Sequence, residues 1–166
     1  MSNSPKRSFG SSSKKMRKNV KLDLSTVRQM LPLVEGIARD ILQTSTALVK
    51  LHPEQESLER HRRELVWAER NRRYAISEEI AEAEKAYKVA LHELNELGLA
   101  LLDKTTARIG FPTSINGRSA LFSWQPGEPG VEYWNYEEES DTRRQIPNDW
   151  VDGTPIRSTK GSKHND

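Results

Sequence analysis

Glycine is distributed unevenly along this chain, and that distribution limits the folds open to it. Gly36 is the one glycine between Ser11 and Leu97. The shorter remainder carries Gly98, Gly110, Gly117, Gly127, Gly130, Gly153 and Gly161. Because glycine weakens helices and supplies the backbone angles of tight turns, the sequence predicts a long helical half followed by a turn-rich half. A length of 166 residues favours one domain with tails.

An apolar repeat at heptad spacing marks the first predicted helix. Its members are Val27, Val34, Ile41 and Leu48. Such a seam lines one side of a helix and requires a partner helix. Ser25 stands directly ahead of the pattern and is predicted to cap the helix. Pro32 removes a backbone donor inside it, so we expect a bend there.

Two coiled-coil-like series predict a second long helix. They are Ile76, Ala83, Ala90 and Leu97, and Ile80, Tyr87, Leu94 and Leu101. We expect Gly98 to cap this helix and the chain to reverse near Trp67. His52-Pro53 indicates a second bend or a helix boundary, because the residue before proline avoids the α region. The two seams are expected to pack as an antiparallel hairpin.

Four short strands are predicted after Gly98. They span residues 99–103, 108–113, 119–124 and 131–136. Asn116-Gly117 and residues 125–130 supply turns between them. Pro112 should lie at a strand end or at an edge of the sheet, because it cannot donate to a neighbouring strand.

The register of the last two strands decides which face each aromatic side chain occupies. If Trp124 pairs with Val131, one face carries Ala120, Phe122, Trp124, Val131, Tyr133 and Asn135, and the other carries Ser119, Leu121, Ser123, Glu132, Trp134 and Tyr136. Both faces would then hold aromatic residues, which is more than one helical layer can cover. A dimer contact on the second face is one solution.

Basic residues are concentrated at the N-terminus. Residues 1–22 contain Lys6, Arg7, Lys14, Lys15, Arg17, Lys18 and Lys21 and no acidic residue, although the whole chain has a formal net charge of +2. We predict that this segment and residues 151–166 are disordered tails, because they offer little apolar area to bury. The N-terminal tail either contacts nucleic acid or keeps the protein soluble.

A second basic run lies in the helical half. It consists of Arg60, Arg62, Arg63, Arg70, Arg72 and Arg73. These side chains could bind phosphates. The interleaved Glu59, Glu64 and Glu69 favour a solvated helix surface with internal ion pairs.

Cysteine usage and hydropathy indicate the compartment. The chain has no cysteine, which excludes disulfides and thiolate ligands and fits a reducing environment. Residues 1–21 lack the apolar core of an export signal, and no later run is long enough to cross a bilayer. We expect a cytoplasmic protein without membrane contact.

Three segments resemble one family. They are LSTVRQMLPLVEGI, LGLALLD and GFPTSINGRSALFSWQPGEPGVEYWN, and they look like the prokaryotic domain of unknown function 2203. The resemblance covers about Leu24 to Trp150, including RRQIP at 143–147, and is most specific in the spacing of Trp124, Gly127, Glu128 and Trp134. It implies an expectation for the fold and none for an activity.

The resemblance also implies a metal hypothesis that this chain departs from. Relatives in that family often have cysteine where this chain has Ser123, and histidine where it has Asn135. With Glu128, those side chains could bind a metal at one end of a hairpin. Because serine and asparagine are poor ligands for zinc or iron, we expect no metal and no other cofactor here.

Glu128 is the main remaining candidate for chemistry, as a general base or a ligand. A glutamate between glycine and proline is more often part of a solvated turn. The histidines His52, His61, His92 and His164 form no local motif. HExxH, a glycine-rich phosphate loop and a serine-histidine-acid signature are all missing from the sequence, so no catalytic residue is predicted.

The sequence as a whole predicts an α+β protein in which a long antiparallel helical hairpin packs with a small antiparallel sheet, over residues 23–150. We expect a non-enzymatic cytoplasmic interaction module that forms a homo-oligomer and binds a further protein partner. Its candidate recognition surface comprises Arg118, Trp124, Gly127, Glu128, Trp134 and Asn135. The alternative hypotheses are a nucleic-acid-binding accessory protein that uses the basic tail, and a small metal-assisted enzyme centred on Glu128.

Overall fold

Residues 21–150, which a computed structural model describes, form two long helices followed by an antiparallel sheet. The helices are α1 (Leu24–Arg60) and α2 (Trp67–Glu96). The strands are β1 (Ala100–Asp103), β2 (Arg108–Ile115), β3 (Arg118–Trp124), β4 (Tyr133–Tyr136) and β5 (Arg144–Gln145), and they pair in sequence order. This is the predicted α+β architecture, with a fifth strand that was not predicted.

The predicted tails lie outside the described residues, apart from Lys21 and Leu22. Leu22 is attached to the sheet, because its backbone N–H donates to the carbonyl of Pro112 at 2.7 Å. Pro112 lies inside β2, an inner strand, and not at the predicted strand end or sheet edge; because β1 pairs with β2 only as far as Gly110, the missing N–H of Pro112 removes no hydrogen bond between these two strands.

The residue that caps the N-terminus of α1 is not the predicted one. Asp23, and not Ser25, is the N-cap, and its carboxylate accepts from the backbone N–H of Thr26 at 2.7 Å. That hydrogen bond favours the ionised carboxylate and holds the pKa of Asp23 below its usual value. Aspartate caps as well as serine does, and the helix takes the earlier of the two positions.

Of the two alternatives predicted at His52-Pro53, a bend or a helix boundary, the boundary is wrong. α1 runs from Leu24 to Arg60 and contains both Pro32 and Pro53. Contacts with α2 flank the second proline: His52 lies 3.9 Å from Glu84, and Glu54 accepts from the Arg72 guanidinium at 2.6 Å. Packing against α2 on both sides offsets the backbone hydrogen bond that proline removes.

The prediction that Gly98 caps the C-terminal end of α2 is confirmed. Gly98 has φ +76°, a left-handed conformation that glycine adopts at little cost. The N–H groups of Gly98 and Leu99 donate to the carbonyls of Asn95 and Leu94 at 3.0 and 3.1 Å. This is a Schellman motif, and it turns the chain from α2 into β1.

The helices meet the sheet over part of their length. The buried cluster that joins them uses α1 as far as Leu42 and α2 from Tyr87 onward, together with Phe111 and Phe122 of the sheet. We call residues 43–86 the distal hairpin. Its own buried side chains are Leu65, Ile76 and Ile80. From Gln43 to Arg60 it spans about 27 Å, at about 1.5 Å per helical residue.

The predicted register of β3 and β4 is wrong by one residue. Phe122 pairs with Trp134, and β4 begins only at Tyr133. A shift by one residue moves every β4 side chain to the opposite face. The loop after β3 is longer than predicted because it folds back, with the indole N–H of Trp124 donating to the carbonyl of Glu128 at 3.2 Å.

The corrected register separates two faces of the sheet. The helix face carries Phe122, Trp124, Trp134 and Tyr136, and the outer face carries Leu121, Ser123, Tyr133 and Asn135. Most of the large aromatic side chains therefore lie on the helix face. The expected dimer contact through aromatic residues on the second face loses its basis.

Candidate functional site

The outer face brings together polar groups from four consecutive parts of the chain. Ser123 is the next-to-last residue of β3 and lies opposite Tyr133 of β4. Glu128 comes from the loop between these strands, and Arg143 directly precedes β5, which pairs with β4. We call Ser123, Glu128, Tyr133 and Arg143 the outer-face site.

Arg143 is the centre of the outer-face site. Its guanidinium donates to both carboxylate oxygens of Glu128, at 2.6 and 3.0 Å. It also donates to the hydroxyl of Ser123 at 3.0 Å and to the carbonyl of Ser123 at 3.3 Å. The guanidinium carbon lies 4.3 Å from the centroid of the Tyr133 ring, within cation–π range.

The pair formed by Glu128 and Arg143 is largely removed from solvent. The side chains are 16% and 19% exposed, respectively. A bidentate contact of this kind is among the stronger hydrogen-bonded ion pairs, because both partners are charged and their geometries match. The ion pair links the loop before β4 to the segment before β5. It covers Ser123, which is fully buried.

Glu128 also shapes its own loop. One carboxylate oxygen accepts from the backbone N–H of Gln125 at 3.2 Å. Gly127 has φ +100°, which only glycine adopts without strain, and allows the chain to turn tightly ahead of Glu128. Both carboxylate oxygens therefore accept hydrogen bonds in this structure, from Arg143 and from Gln125.

The six residues of the predicted recognition surface do not share one surface. Trp124 is 2% exposed and Asn135 is 1% exposed, and Trp134 is also buried. Arg118 and Gly127 are exposed, but Arg118 is on the helix side of β3 by register, whereas Glu128 adjoins the outer face. Glu128 is the one of the six in the outer-face site.

A second group of arginines and aromatic residues lies at the edge of the helix face. The guanidinium carbon of Arg118 lies 3.9 Å from the Tyr136 ring centroid, and that of Arg144 lies 5.1 Å from the Trp134 ring centroid. Arg144 also pairs with Glu139. The Trp134 and Trp150 rings are 5.4 Å apart. Arg144 and Trp150 therefore cover the part of the helix face that α1 and α2 do not reach, and they bury Trp134.

Sequence reasoning missed Arg143 and Tyr133 as members of the outer-face site. Arg143 lies 15 residues from Glu128 and 20 from Ser123 in the sequence, so no local spacing connects them. The segment RRQIP had drawn attention through its resemblance to the family. Nothing in that segment alone distinguishes the role of Arg143 from that of Arg144.

The outer-face site is unsuited to a metal ion. The register places Ser123 and Asn135 on one face, as the metal hypothesis requires. The guanidinium of Arg143, however, lies between Ser123 and Glu128 and would repel a cation. Asn135 donates its amide N–H to the carbonyl of Tyr136 at 2.8 Å. Within residues 21–150, no three or more histidine, cysteine, aspartate or glutamate side chains are grouped to hold a metal.

Protein purified without chelator is accordingly expected to contain no stoichiometric zinc or iron. Elemental analysis by mass spectrometry checks this, with a zinc-binding protein purified in parallel as the control for metal loss. One zinc or iron per chain would contradict the expectation and favour the alternative of a metal-assisted enzyme.

Comparison with known proteins gives a family and no named relative. A family model described as an uncharacterized conserved protein, DUF2203, matches residues 22–146. No curated protein and no solved structure matches the chain. None of the helices in residues 21–150 is long and apolar enough to cross a membrane.

Proposed function

This chain belongs to the DUF2203 family, and we propose that it is a cytoplasmic, non-enzymatic interaction module that self-associates through its helical hairpin. The absence of enzymatic activity in this proposal rests on one observation, the ion pair that Glu128 forms with Arg143. The residue best placed for chemistry has both oxygens held by Arg143 and is used to fix a loop. An ion pair of this kind holds a surface in shape without leaving a reactive group free.

Self-association is supported by apolar side chains on the outside of the hairpin. Among the described residues, the large hydrophobic side chains that are more than half exposed are Leu33, Val49, Val66, Trp67, Tyr74 and Val89. All of them belong to α1, α2 or the loop between these helices. Helical hairpins that carry apolar residues outside commonly bury them by pairing into four-helix bundles.

The groove between the two helices is where we place the second copy. It is lined by Asp40, Gln43, Thr44, Glu82, Lys85, Ala86, Val89, Ala90 and Glu93. Val89 and the small side chain of Ala86 let another helix approach closely. The groove holds both acidic residues and Lys85, so two copies related by a twofold axis can pair opposite charges.

Light scattering after size exclusion should give at least a dimer at micromolar concentration. Val89→Glu is expected to shift the mass toward the monomer, because it places a charge in the proposed contact. Gln29→Glu is the matched control: it adds the same charge at an exposed α1 position that neither lines the groove nor belongs to the exposed apolar set, and it should leave the mass unchanged. A strictly monomeric wild-type mass, constant on concentration, contradicts self-association.

A further inference from the structure

The end of the distal hairpin combines exposed aromatic residues with arginines. We call residues 60–74 the hairpin tip; it contains the end of α1, the loop 61–66 and the first two turns of α2. Trp67 is 74% exposed and Tyr74 is 68% exposed. Large aromatic side chains usually bury most of their area, so two this exposed at one end of an element mark a binding surface.

Trp67 and Tyr74 lie on the same side of α2. They are seven residues apart, which is nearly two helical turns, so their side chains point in about the same direction, about 10.5 Å apart along the axis. Arg70 lies between them on that side. The buried Ile76 is about half a turn away from Trp67 around the helix, so this side points away from α1.

The arginines of the hairpin tip divide into two groups. Arg60 pairs with Glu56 at 3.1 Å, Arg72 with Glu54 at 2.6 Å and Arg73 with Glu59 at 2.5 Å. These ion pairs confirm in part the predicted solvated surface. They also hold α1 against α2, since two of the three cross between the helices.

The remaining arginines are Arg62, Arg63 and Arg70. Arg62 and Arg63 are exposed and form no ion pair with any residue in the described part of the chain. Arg70 donates to the carbonyl of Leu65 at 3.0 Å and has no carboxylate partner among the residues that the structure describes. Of the two acids in this stretch, Glu69 is engaged by the backbone N–H of Val66 at 3.0 Å, and Glu64 remains exposed.

The hairpin tip is ordered by its own backbone. The N–H of Glu64 donates to the carbonyl of His61 at 2.9 Å, and the N–H of Arg70 donates to that of Val66 at 3.0 Å. Leu65 is buried and anchors the loop between the helices. The exposed aromatic and basic groups are therefore presented on a fixed scaffold, which lowers the entropy lost on binding.

We propose that the hairpin tip binds single-stranded nucleic acid. Unpaired bases stack on Trp67 and Tyr74, and the phosphates contact Arg62, Arg63 and Arg70, the combination by which proteins bind single strands without reading sequence. Trp67 and Tyr74 are spaced along the axis of α2, so successive bases of a single-stranded nucleic acid that runs along this axis can each reach one ring. A helix that lies on a membrane surface carries a continuous apolar face with its basic residues opposite, whereas Arg70 lies between the two aromatic side chains here. This function is additional to self-association, which uses the groove at Val89.

Fluorescence anisotropy tests the stacking contact, with the full chain and a labelled 20-nucleotide oligouridine at low salt. Trp67→Ala should weaken binding roughly tenfold or more, and Tyr74→Ala by a similar factor, because each removes a stacking surface. Trp67→Phe keeps a ring and should retain most of the affinity. Val49→Ala is the control, since Val49 is 73% exposed on the same hairpin but lies outside the tip. An RNA duplex of equal length should bind more weakly than the single strand.

Salt dependence tests the arginines separately. Arg62→Ala with Arg63→Ala should reduce the log–log salt slope by about 1.4, from roughly 0.7 counterions released per phosphate contact on single strands. Lys50→Ala with Lys88→Ala removes the same charge from exposed positions outside the tip and should change the slope less. The N-terminal tail is present in every variant, so its contribution cancels.

Three results would overturn the proposal. They are no oligonucleotide binding by the wild type at low salt, equal binding by wild type and Trp67→Ala, and a loss in Trp67→Phe as large as in Trp67→Ala. Vesicles of phosphatidylcholine and phosphatidylglycerol test the alternative partner. If Trp67→Ala abolishes binding to these vesicles but leaves oligouridine binding intact, the hairpin tip contacts membranes and the proposal is also overturned. Circular dichroism spectra of the variants, expected to match the wild type, exclude unfolding as the cause.

Discussion

Replacing Trp134 with alanine is expected to lower the free energy of unfolding by about 3–5 kcal/mol. Trp134 is 9% exposed and belongs to the buried cluster between helices and sheet. Its ring packs against Trp150, and Arg144 lies over it. Small domains have a total stability of about 5–15 kcal/mol, so the loss is a large fraction of the whole. Urea denaturation followed by far-ultraviolet circular dichroism measures it.

Tyr133→Ala is the comparison that tests the register. Tyr133 lies on the outer face, partly exposed, with the Arg143 guanidinium over its ring, so its loss should cost only about 1 kcal/mol. The register that pairs Trp124 with Val131 would bury Tyr133 against the helices and reverse the order of the two variants. Trp67→Ala removes an exposed tryptophan and should change stability by less than about 0.5 kcal/mol. A larger loss in Tyr133→Ala than in Trp134→Ala would contradict the strand pairing.

Replacing Arg143 with methionine is expected to lower the free energy of unfolding by about 2–3 kcal/mol. Breaking a fully buried ion pair costs about 3–5 kcal/mol, and the exposed part of this pair reduces the figure. The substitution leaves the Glu128 carboxylate largely buried without its charged partner. It also removes the donor to the hydroxyl of Ser123. Chemical denaturation measures the loss.

A double-mutant cycle separates the pair from its surroundings. Glu128→Gln combined with Arg143→Met should cost less than the sum of the single changes, with a coupling energy of about 1–3 kcal/mol. Arg118→Met is the matched control, because Arg118 also lies over a tyrosine ring but forms exposed ion pairs with Glu138 and Glu139. Exposed pairs contribute about 0–1 kcal/mol. If Arg143→Met costs no more than Arg118→Met, the outer-face pair is not what closes the face.

The helical half was predictable because its signals are local. Heptad spacing defined both seams, and the chain reverses between Arg60 and Trp67, at the predicted place. Gly98 marked the end of α2 because a helix that ends in this way needs a residue with left-handed backbone angles directly after its last turn, and glycine adopts them most easily. The prediction failed at Pro53, where the local preference against a helix is outweighed by contacts with α2, whose partner residues are remote in sequence.

The candidate site was predictable only in part. Glu128 was selected from its loop, and its part in the loop through Gln125 and Gly127 is a local matter. Its partner Arg143 was missed because their contact depends on β4 and β5 lying side by side. The predicted recognition surface also assumed the exposure of Trp124 and Asn135, and both are buried.

The sequence by itself determined the two helices, their hairpin and the first four strands, since periodicity and glycine positions act over a few residues. Only the tertiary structure decided the pairing of Phe122 with Trp134, because a one-residue shift conserves every local preference and exchanges the two faces. The same holds for which arginines are paired: Arg72 and Arg73 form ion pairs with carboxylates on α1, whereas Arg62 and Arg63 form none within residues 21–150. That difference arises from packing one helix on another, and it determines which charges remain available at the hairpin tip.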